Sequence, residues 1–131
     1  MLETLLRAAL HNAHLDSIEV SSAGTAAIHG EPASDGAQRA MQRRGLDLSH
    51  HVSRPLRDLD LKHFDQFWCM TPNHAAVLSG WGVPEELIHV VNADGGGVPD
   101  PFGGDDDDYE ACAAVLELAA RDLAQLFSSR K

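Results

Sequence analysis

Short apolar runs alternate with longer segments of helical periodicity along the chain, and this alternation constrains the fold more than any other feature. Strands are predicted at residues 64–70 and 87–91, and residues 18–25 are predicted to be a short strand that runs into a Gly-containing turn. Helices are predicted at residues 2–13, 33–45, 71–80 and 109–128, with a short helical turn at 56–63. We therefore predict one α/β domain over residues 1–131, a three-layer architecture with a parallel sheet and helices on both of its faces.

Local signals fix where several helices begin. Thr71 followed by Pro72 is typical of an N-cap and a first helical residue. Either Asp107 or Asp108 is predicted to cap the last helix, where acidic residues also favour the helix dipole. The apolar stripe of that helix is predicted from Cys112, Val115, Leu116, Ala119, Leu123 and Leu126.

Composition excludes several classes of protein. A hydrophobic fraction of 44% fits a globular chain, and a net charge of −10 argues against binding nucleic acid or an anionic membrane. Cys69 and Cys112 are far apart in apolar surroundings, so we expect buried free thiols in a cytoplasmic protein. No apolar run is long enough to span a bilayer. No metal or cofactor is expected, since His11 and His14 lack a third ligand nearby.

The segment around Asp100 has rigid prolines next to the aspartate and flexible glycines further out. Asp100 lies between Pro99 and Pro101, after a run of three glycines and shortly before two more. Because proline restricts the backbone dihedral φ, the Asp100 carboxylate has a defined position although the loop around it is flexible. A general acid needs such a defined position to reach the leaving group. A surface turn is the alternative, because Asp-Pro is a common turn dipeptide. The carboxyl ends of the predicted strands meet at the same edge of the sheet, which favours the catalytic interpretation.

Five motifs in the same order resemble the low-molecular-weight protein-tyrosine phosphatases. They lie at residues 21–25, 30–32, 45–54, 64–70 and 98–102, and so extend over almost the whole chain. The resemblance implies a mechanism in which a cysteine thiolate attacks phosphorus and a Cys-x5-Arg loop holds the phosphoryl oxygens. An aspartate then protonates the leaving phenolate, whose unperturbed pKa is about 10.

The resemblance also assigns roles to residues of this chain. The proton donor is expected to be Asp100. Ser22 and His51 are expected in a hydrogen-bond network that supports the phosphate loop, and Phe102 beside the substrate. From the residues alone, Ser22 would be a turn hydroxyl and His51 an ordinary loop histidine. Ile28 and Gly103 occupy positions where the family often has aromatic residues, which weakens phosphotyrosine as the expected substrate.

The central part of the family's site is not found in these residues. Six positions after Cys69 is Ala75, and six after Cys112 is Leu118, so neither cysteine has the arginine of a Cys-x5-Arg loop. The residues from Met1 onward match the helix that follows this loop in the family. We therefore expect an N-terminally truncated domain that lacks the central first strand, with Met1 an internal methionine of the gene.

Several functions stay open at this stage. The complete protein is expected to hydrolyse phosphorylated proteins or small phosphomonoesters, whereas residues 1–131 alone are expected to be inactive. A pseudophosphatase acting as a binding module is the alternative, and bare sheet edges would allow a dimer. Arsenate reduction ranks last because no close pair of cysteines is present. Protein-arginine phosphatase activity stays open, since the residues that would distinguish it belong to the phosphate loop.

Overall fold

The computed structural model of the chain describes residues 1–25, 27 and 29–129. Within them lie four α-helices: α1 (Leu2–Asn12), α2 (Asp35–Gln42), α3 (Pro72–Gly80) and α4 (Asp106–Ser128). The strands are β1 (Phe67–Cys69) and β2 (Ile88–Val90), and short 3₁₀ turns lie at Leu56–Asp58, Leu61–His63, Glu85–Leu87 and Ala93–Gly95. None of the described helices is both long and apolar enough to cross a lipid bilayer.

Strands β1 and β2 form a parallel pair, with Phe67 opposite Ile88 and Cys69 opposite Val90. Side chains of a strand point alternately to opposite faces of the sheet. Trp68 accordingly packs on the cluster built by α1, α2 and α4, while Phe67 and Cys69 join the cluster that includes α3. The predicted class, an α/β fold with a parallel sheet and helices on both faces, is confirmed.

The apolar interior is divided into two clusters by this sheet. The larger is contributed mainly by α1, α2 and α4, and its most completely buried members include Leu10, Ala40, Met41, Val91 and Ala113. The smaller contains Leu56, Cys69, Leu78 and Val83. Long-range packing is strongest between α1 and α4, followed by α2 and α4. These helices therefore form the main body of the fold, and α3 forms a separate layer on the other face.

The strand predicted over residues 18–25 is not formed, and that prediction was wrong. A strand needs a neighbouring chain to accept its ladder hydrogen bonds. Here the described groups of this segment bond elsewhere: Arg7 Nη2 donates to the carbonyl oxygen of Val20 at 2.6 Å, and the Gly24 amide donates to the Arg54 carbonyl oxygen at 2.9 Å. Gly24 forms only an isolated parallel bridge with Pro55.

The predicted helix signals were largely correct. Thr71 Oγ1 accepts the His74 amide at 3.3 Å, and Pro72 is the first residue of α3. Helix α4 begins earlier than expected, because Asp105 rather than Asp107 is its N-cap and forms a reciprocal capping box with Asp108. The members of the predicted stripe also differ from one another in burial.

Of the six predicted stripe residues, Leu116 and Leu123 are buried, and Val115 and Ala119 are half-buried. Leu126 is exposed, and Cys112 is only half-buried, so the expectation of two buried thiols holds for Cys69 alone. The buried face of α4 passes through Leu116, Ala120 and Leu123, and Phe127 continues it, so Leu126 lies beside this face. The predicted stripe is displaced by about one residue from the face that packs.

Ion pairs fasten α2 and the two arginines that follow it to α4. Arg39 contacts Asp106 at 2.8 Å, and Arg43 contacts both Asp106 at 3.1 Å and Glu110 at 2.8 Å. Arg44 is the least exposed of the three arginines and contacts Glu110 at 3.0 Å. The hydrogen bond from Arg39 holds the pKa of Asp106 below its usual value, and the bonds from Arg43 and Arg44 do the same for the pKa of Glu110.

Candidate active site

The loop that carries Asp100 is anchored on the carboxyl ends of both strands. The Val98 amide donates to the carbonyl oxygen of Met70, just after β1, at 2.6 Å. Asn92, just after β2, adopts a left-handed conformation and its side-chain amide donates to the carbonyl oxygen of Gly97 at 3.3 Å. Gly97 has a φ of +103°, and a Cβ there would lie 2.5 Å from the Met70 oxygen. Only glycine therefore allows this close approach.

A second anchor follows Asp100. The Gly104 amide donates to the carbonyl oxygen of Pro101 at 2.8 Å, and Asp105 then caps α4. Between the two anchors, Asp100 Oδ1 accepts the amide of Phe102 at 3.0 Å, which forms an Asx turn. The carboxylate is exposed and its second oxygen accepts none of the hydrogen bonds found among the described residues. Asp100 is thus fixed in position while one oxygen stays free to exchange a proton.

A cleft of about 560 Å³ opens beside Asp100, between this loop and the first half of α4. Phe102 lies at its rim with 79% of its surface exposed, and Cys112 and Val115 line its α4 side. The amino group of Met1 lies near enough to Cys112 for their charges to interact. The carboxylate of Asp100 and the thiol of Cys112 therefore border one cavity.

The Cys112 thiol is not prepared for nucleophilic attack. Its pKa is raised from the usual value, first by burial and additionally by the negative charge of Asp100. A thiolate is the reactive form of cysteine, and both effects disfavour it. With Leu118 instead of arginine six positions later, nothing nearby in sequence would hold a phosphoryl group for this sulfur.

Ser22 is held by the first turn of α1. Its hydroxyl donates to Glu3 Oε1 at 2.7 Å, and Glu3 Oε2 pairs with Arg7 Nη1 at 3.0 Å. Arg7 in turn binds the carbonyl oxygen of Val20. The Glu3 side chain is only 12% exposed, so it joins α1 to the segment that carries Ser22 from a largely buried position. Sequence reasoning did not single out Glu3, because an acidic residue in the first helical turn is ordinarily explained by the helix dipole.

His51 and Ile28 are the two remaining positions that the sequence marked. His51 is half-buried, and its backbone amide donates to the carbonyl oxygen of Leu48 at 3.2 Å. Its ring forms no hydrogen bond with Ser22 among the described residues, so the two are not joined in one network here. Ile28 lies outside the described residues.

The structure therefore brings only part of the predicted site together. Asp100 and Phe102 share one cleft, while Ser22 is bound to α1 and His51 belongs to the connection after α2. In the described part of the chain, no group of three or more His, Cys, Asp or Glu side chains is arranged to hold a metal ion. This geometry offers a positioned carboxylic acid beside a pocket, which is suited to proton transfer.

Comparison with known proteins decides the family. The family model of the low molecular weight phosphotyrosine protein phosphatases matches residues 1–131. The chain belongs to this family. It is 31% identical to a protein-arginine-phosphatase of Geobacillus stearothermophilus over 127 residues, covering 90% of this chain and 82% of that protein.

Other members of the family agree in sequence and in fold. The low molecular weight protein-tyrosine-phosphatase Wzb of Salmonella typhi is 28% identical over 120 residues, covering 88% of this chain and 79% of Wzb. The crystal structure of a YwlE mutant from Bacillus subtilis superposes with a TM-score of 0.86 at 29% identity, covering 96% of this chain and 87% of that one. The low molecular weight phosphatase fold is thus established for this domain, and the resemblance found in the sequence is confirmed.

Proposed function

We propose that this domain is the proton-donating part of a phosphoprotein phosphatase, with Asp100 as the general acid. The observation that supports this most directly is the double anchoring of the Asp100 loop beside the cleft. A leaving group of high pKa departs more easily when a positioned acid delivers a proton as its bond to phosphorus breaks. Phe102 at the rim supplies an apolar surface for the group that leaves.

Residues 1–131 do not by themselves supply a nucleophile in this proposal. They contain two cysteines, neither followed by an arginine six positions later, and the Cys112 thiol is held protonated. A Cys-x5-Arg loop placed ahead of α1 would begin near Cys112, which lines the cleft and interacts electrostatically with the amino group of Met1. Helix N-termini favour anions, so a phosphoryl group bound there would gain from the dipole of α1.

A direct experiment compares two chains. The first is residues 1–131, for which we expect no hydrolysis of p-nitrophenyl phosphate above background. The second is extended by the codons that precede Met1 in the same reading frame, which we expect to encode an apolar strand and Cys-x5-Arg. Turnover by the shorter chain that depends on Asp100, or an upstream stop codon adjacent to Met1, would contradict the proposal.

The role of Asp100 is tested in the extended chain. Asp100→Asn should lower kcat by about 10²- to 10⁴-fold with little change in KM, because the acid acts in bond breaking and not in binding. Asp94→Asn is the matched control, since Asp94 is an exposed carboxylate on the same loop. Equal activity of the two variants would remove Asp100 from the mechanism.

We further propose phosphoproteins as the substrate class, with phosphoarginine as a second candidate beside phosphotyrosine. The 31% identity to a protein named as an arginine phosphatase supports the second candidate. Gly103 next to Phe102 supports it too, because a second aromatic ring is absent from that position. The ratio of kcat/KM on phosphotyrosine and phosphoarginine peptides of one sequence distinguishes the two. Arsenate reduction is disfavoured because Cys69 and Cys112 belong to separate clusters on opposite faces of the sheet.

A binding module is the alternative, in which this domain recognises phosphoproteins without hydrolysing them. It is favoured if the extended chain also lacks a nucleophile. The free thiol of Cys69 and the net charge of −10 support a cytoplasmic protein that binds neither nucleic acid nor membranes. A dimer through the outer edges of β1 and β2 belongs to this proposal, and analytical ultracentrifugation of residues 1–131 tests it.

A further inference from the structure

The segment that carries Ser22 is tied to the turn before β1 by one ion pair. Glu19 Oε2 lies 2.6 Å from His63 Nε2, although the two residues are 44 positions apart. Five residues after Glu19, the Gly24 amide donates to the Arg54 carbonyl oxygen at 2.9 Å, and the Leu56 amide donates to the Gly24 carbonyl oxygen at 3.0 Å. Residues 19–24 are therefore attached to residues 54–63 at both ends.

His63 is held in an orientation that favours this contact. Its ring meets the ring of Phe64 edge to face at 5.1 Å, and Phe64 meets Phe67, the first residue of β1, in the same way at 6.3 Å. The pair thus connects the Ser22 segment to the beginning of the sheet through a row of three rings. Both members of the pair are more than half exposed, so solvent protons reach them freely.

The charges around the pair are mostly negative. Glu19 faces the His63 ring directly, and Asp60 and Asp65 lie near it on its own turn. On the other side, Glu19 borders a cleft of about 450 Å³ that Arg7, His11 and Asp16 also line. Imidazole carries a charge that changes near neutral pH, and its contact with a carboxylate is strongest when it is protonated.

We propose that the Glu19–His63 pair is a pH-sensitive clasp, which fastens residues 19–24 to residues 54–63 in mild acid and loosens as the pH rises. The segment it controls carries Ser22, and its other side is bound to α1 through Glu3 and Arg7. Release of the clasp leaves those α1 contacts intact, so the segment pivots about α1 without detaching from it. The pH-dependent contact between Glu19 and His63 would exist whether or not the chain catalyses a reaction.

The linkage between proton binding and folding determines whether the clasp closes in acid or in base. The hydrogen bond that His63 donates to Glu19 raises the pKa of His63 above its ordinary value of 6.5, and the charges of Glu19, Asp60 and Asp65 add to this. A group whose pKa is raised by folding contributes its full stabilisation below the unfolded value and loses it as the pH rises through the folded value. The clasp is therefore closed at pH 6 and open well above neutrality.

The test measures the clasp and its consequence separately. NMR titration of the His63 ring, assigned by loss of its signal in His63→Gln, should give a raised pKa in the wild type and one closer to 6.5 in Glu19→Gln. Amide exchange reports the attachment at Gly24 and Leu56. Protection there, corrected for intrinsic exchange, should fall by roughly two- to fivefold between pH 6 and pH 8.5 in the wild type.

Two variants complete the experiment. Glu19→Gln keeps the size of the side chain but removes its charge, and should show low protection at both pH values. His50→Gln is the matched control, because His50 is 95% exposed in a loop and lies 3.9 Å from Asp47, away from the segment; it should behave as the wild type. An unchanged His63 pKa in Glu19→Gln, or protection that does not depend on pH, would overturn the proposal.

Discussion

The amide nitrogen of Val98 lies 2.6 Å from the carbonyl oxygen of Met70. This hydrogen bond fastens the loop to the end of β1 two residues before Asp100. The position of the carboxylate therefore depends on how closely the backbone at residues 97 and 98 approaches the strand. The glycine that precedes Val98 makes this approach possible, and its replacement provides the first prediction.

Gly97→Ala should lower the free energy of unfolding by about 3 kcal/mol or more, since it combines a positive φ with a Cβ 2.5 Å from the Met70 oxygen. Gly103→Ala is the control on the same loop. It has a φ of +85° but nothing within 4 Å of the added Cβ, so it should cost about 1 kcal/mol. Urea denaturation measures both, and equal losses would show that the contact with Met70 is unimportant.

Gly36→Ala should destabilise the protein although alanine is the better helix former. Gly36 lies inside α2, and a Cβ there would come within 2.3 to 2.8 Å of ring atoms of Tyr109 on α4. Overpacking of this kind costs about 1–3 kcal/mol, which exceeds the gain of about 1 kcal/mol in helix propensity. Gly80→Ala, at the end of α3 with no atom within 4 Å, should be neutral or slightly stabilising. A stabilised Gly36→Ala would mean that α2 and α4 are further apart than described.

Glu110→Gln should lower stability at pH 7 and lose this effect in acid. The hydrogen bond from Arg43 comes first among the causes that depress the pKa of Glu110. A carboxylate with a depressed pKa contributes stability above its unfolded value of about 4.5 and loses it as the pH falls through the folded value. Urea midpoints of wild type and variant should therefore converge between pH 4.5 and pH 2. Asp122→Asn, on the exposed face of the same helix, should leave the urea midpoint unchanged both at pH 7 and in acid.

Both thiols should react slowly at neutral pH. Burial raises the pKa of Cys69 and of Cys112 from the usual value of 9.0. Alkylation by iodoacetamide at pH 7 should be slower than that of free cysteine and should accelerate as the pH rises. Cys112 should react first because it is half-buried while Cys69 is 7% exposed, and Cys112→Ser assigns the faster phase. Rapid alkylation at pH 7 would contradict the protonated state inferred for Cys112.

The beginning of α3 could be predicted from the sequence because its signals are local, whereas among four successive aspartates the N-cap of α4 could not be singled out. Thr71 and Pro72 satisfy the first turn of α3 by themselves, whatever surrounds them. The Asp100 loop was recognised for the same reason, since prolines and glycines act on the residues beside them. The confirmed parallel arrangement of β1 and β2 follows from the alternation of helices and strands.

What could not be predicted depends on partners distant in sequence. Residues 18–25 have the composition of a strand, but Arg7 and Arg54 take up the groups that a ladder would use. Glu3 holds Ser22 across 19 positions, and no periodicity in the sequence reports such a bond. Leu126 matches the predicted apolar stripe of α4 yet is exposed, because the helix packs through the neighbouring face that carries Leu123 and Phe127.

The thin sheet between the two apolar clusters has a consequence for how the domain melts. Among the described residues three pairs join β1 to β2, with the small cluster that includes α3 on one face and the larger cluster on the other. The smaller cluster has fewer buried apolar residues to hold it, so it should open at a lower free energy than the main body. On heating, the α3 layer should come apart first, and the calorimetric enthalpy should exceed the van't Hoff enthalpy.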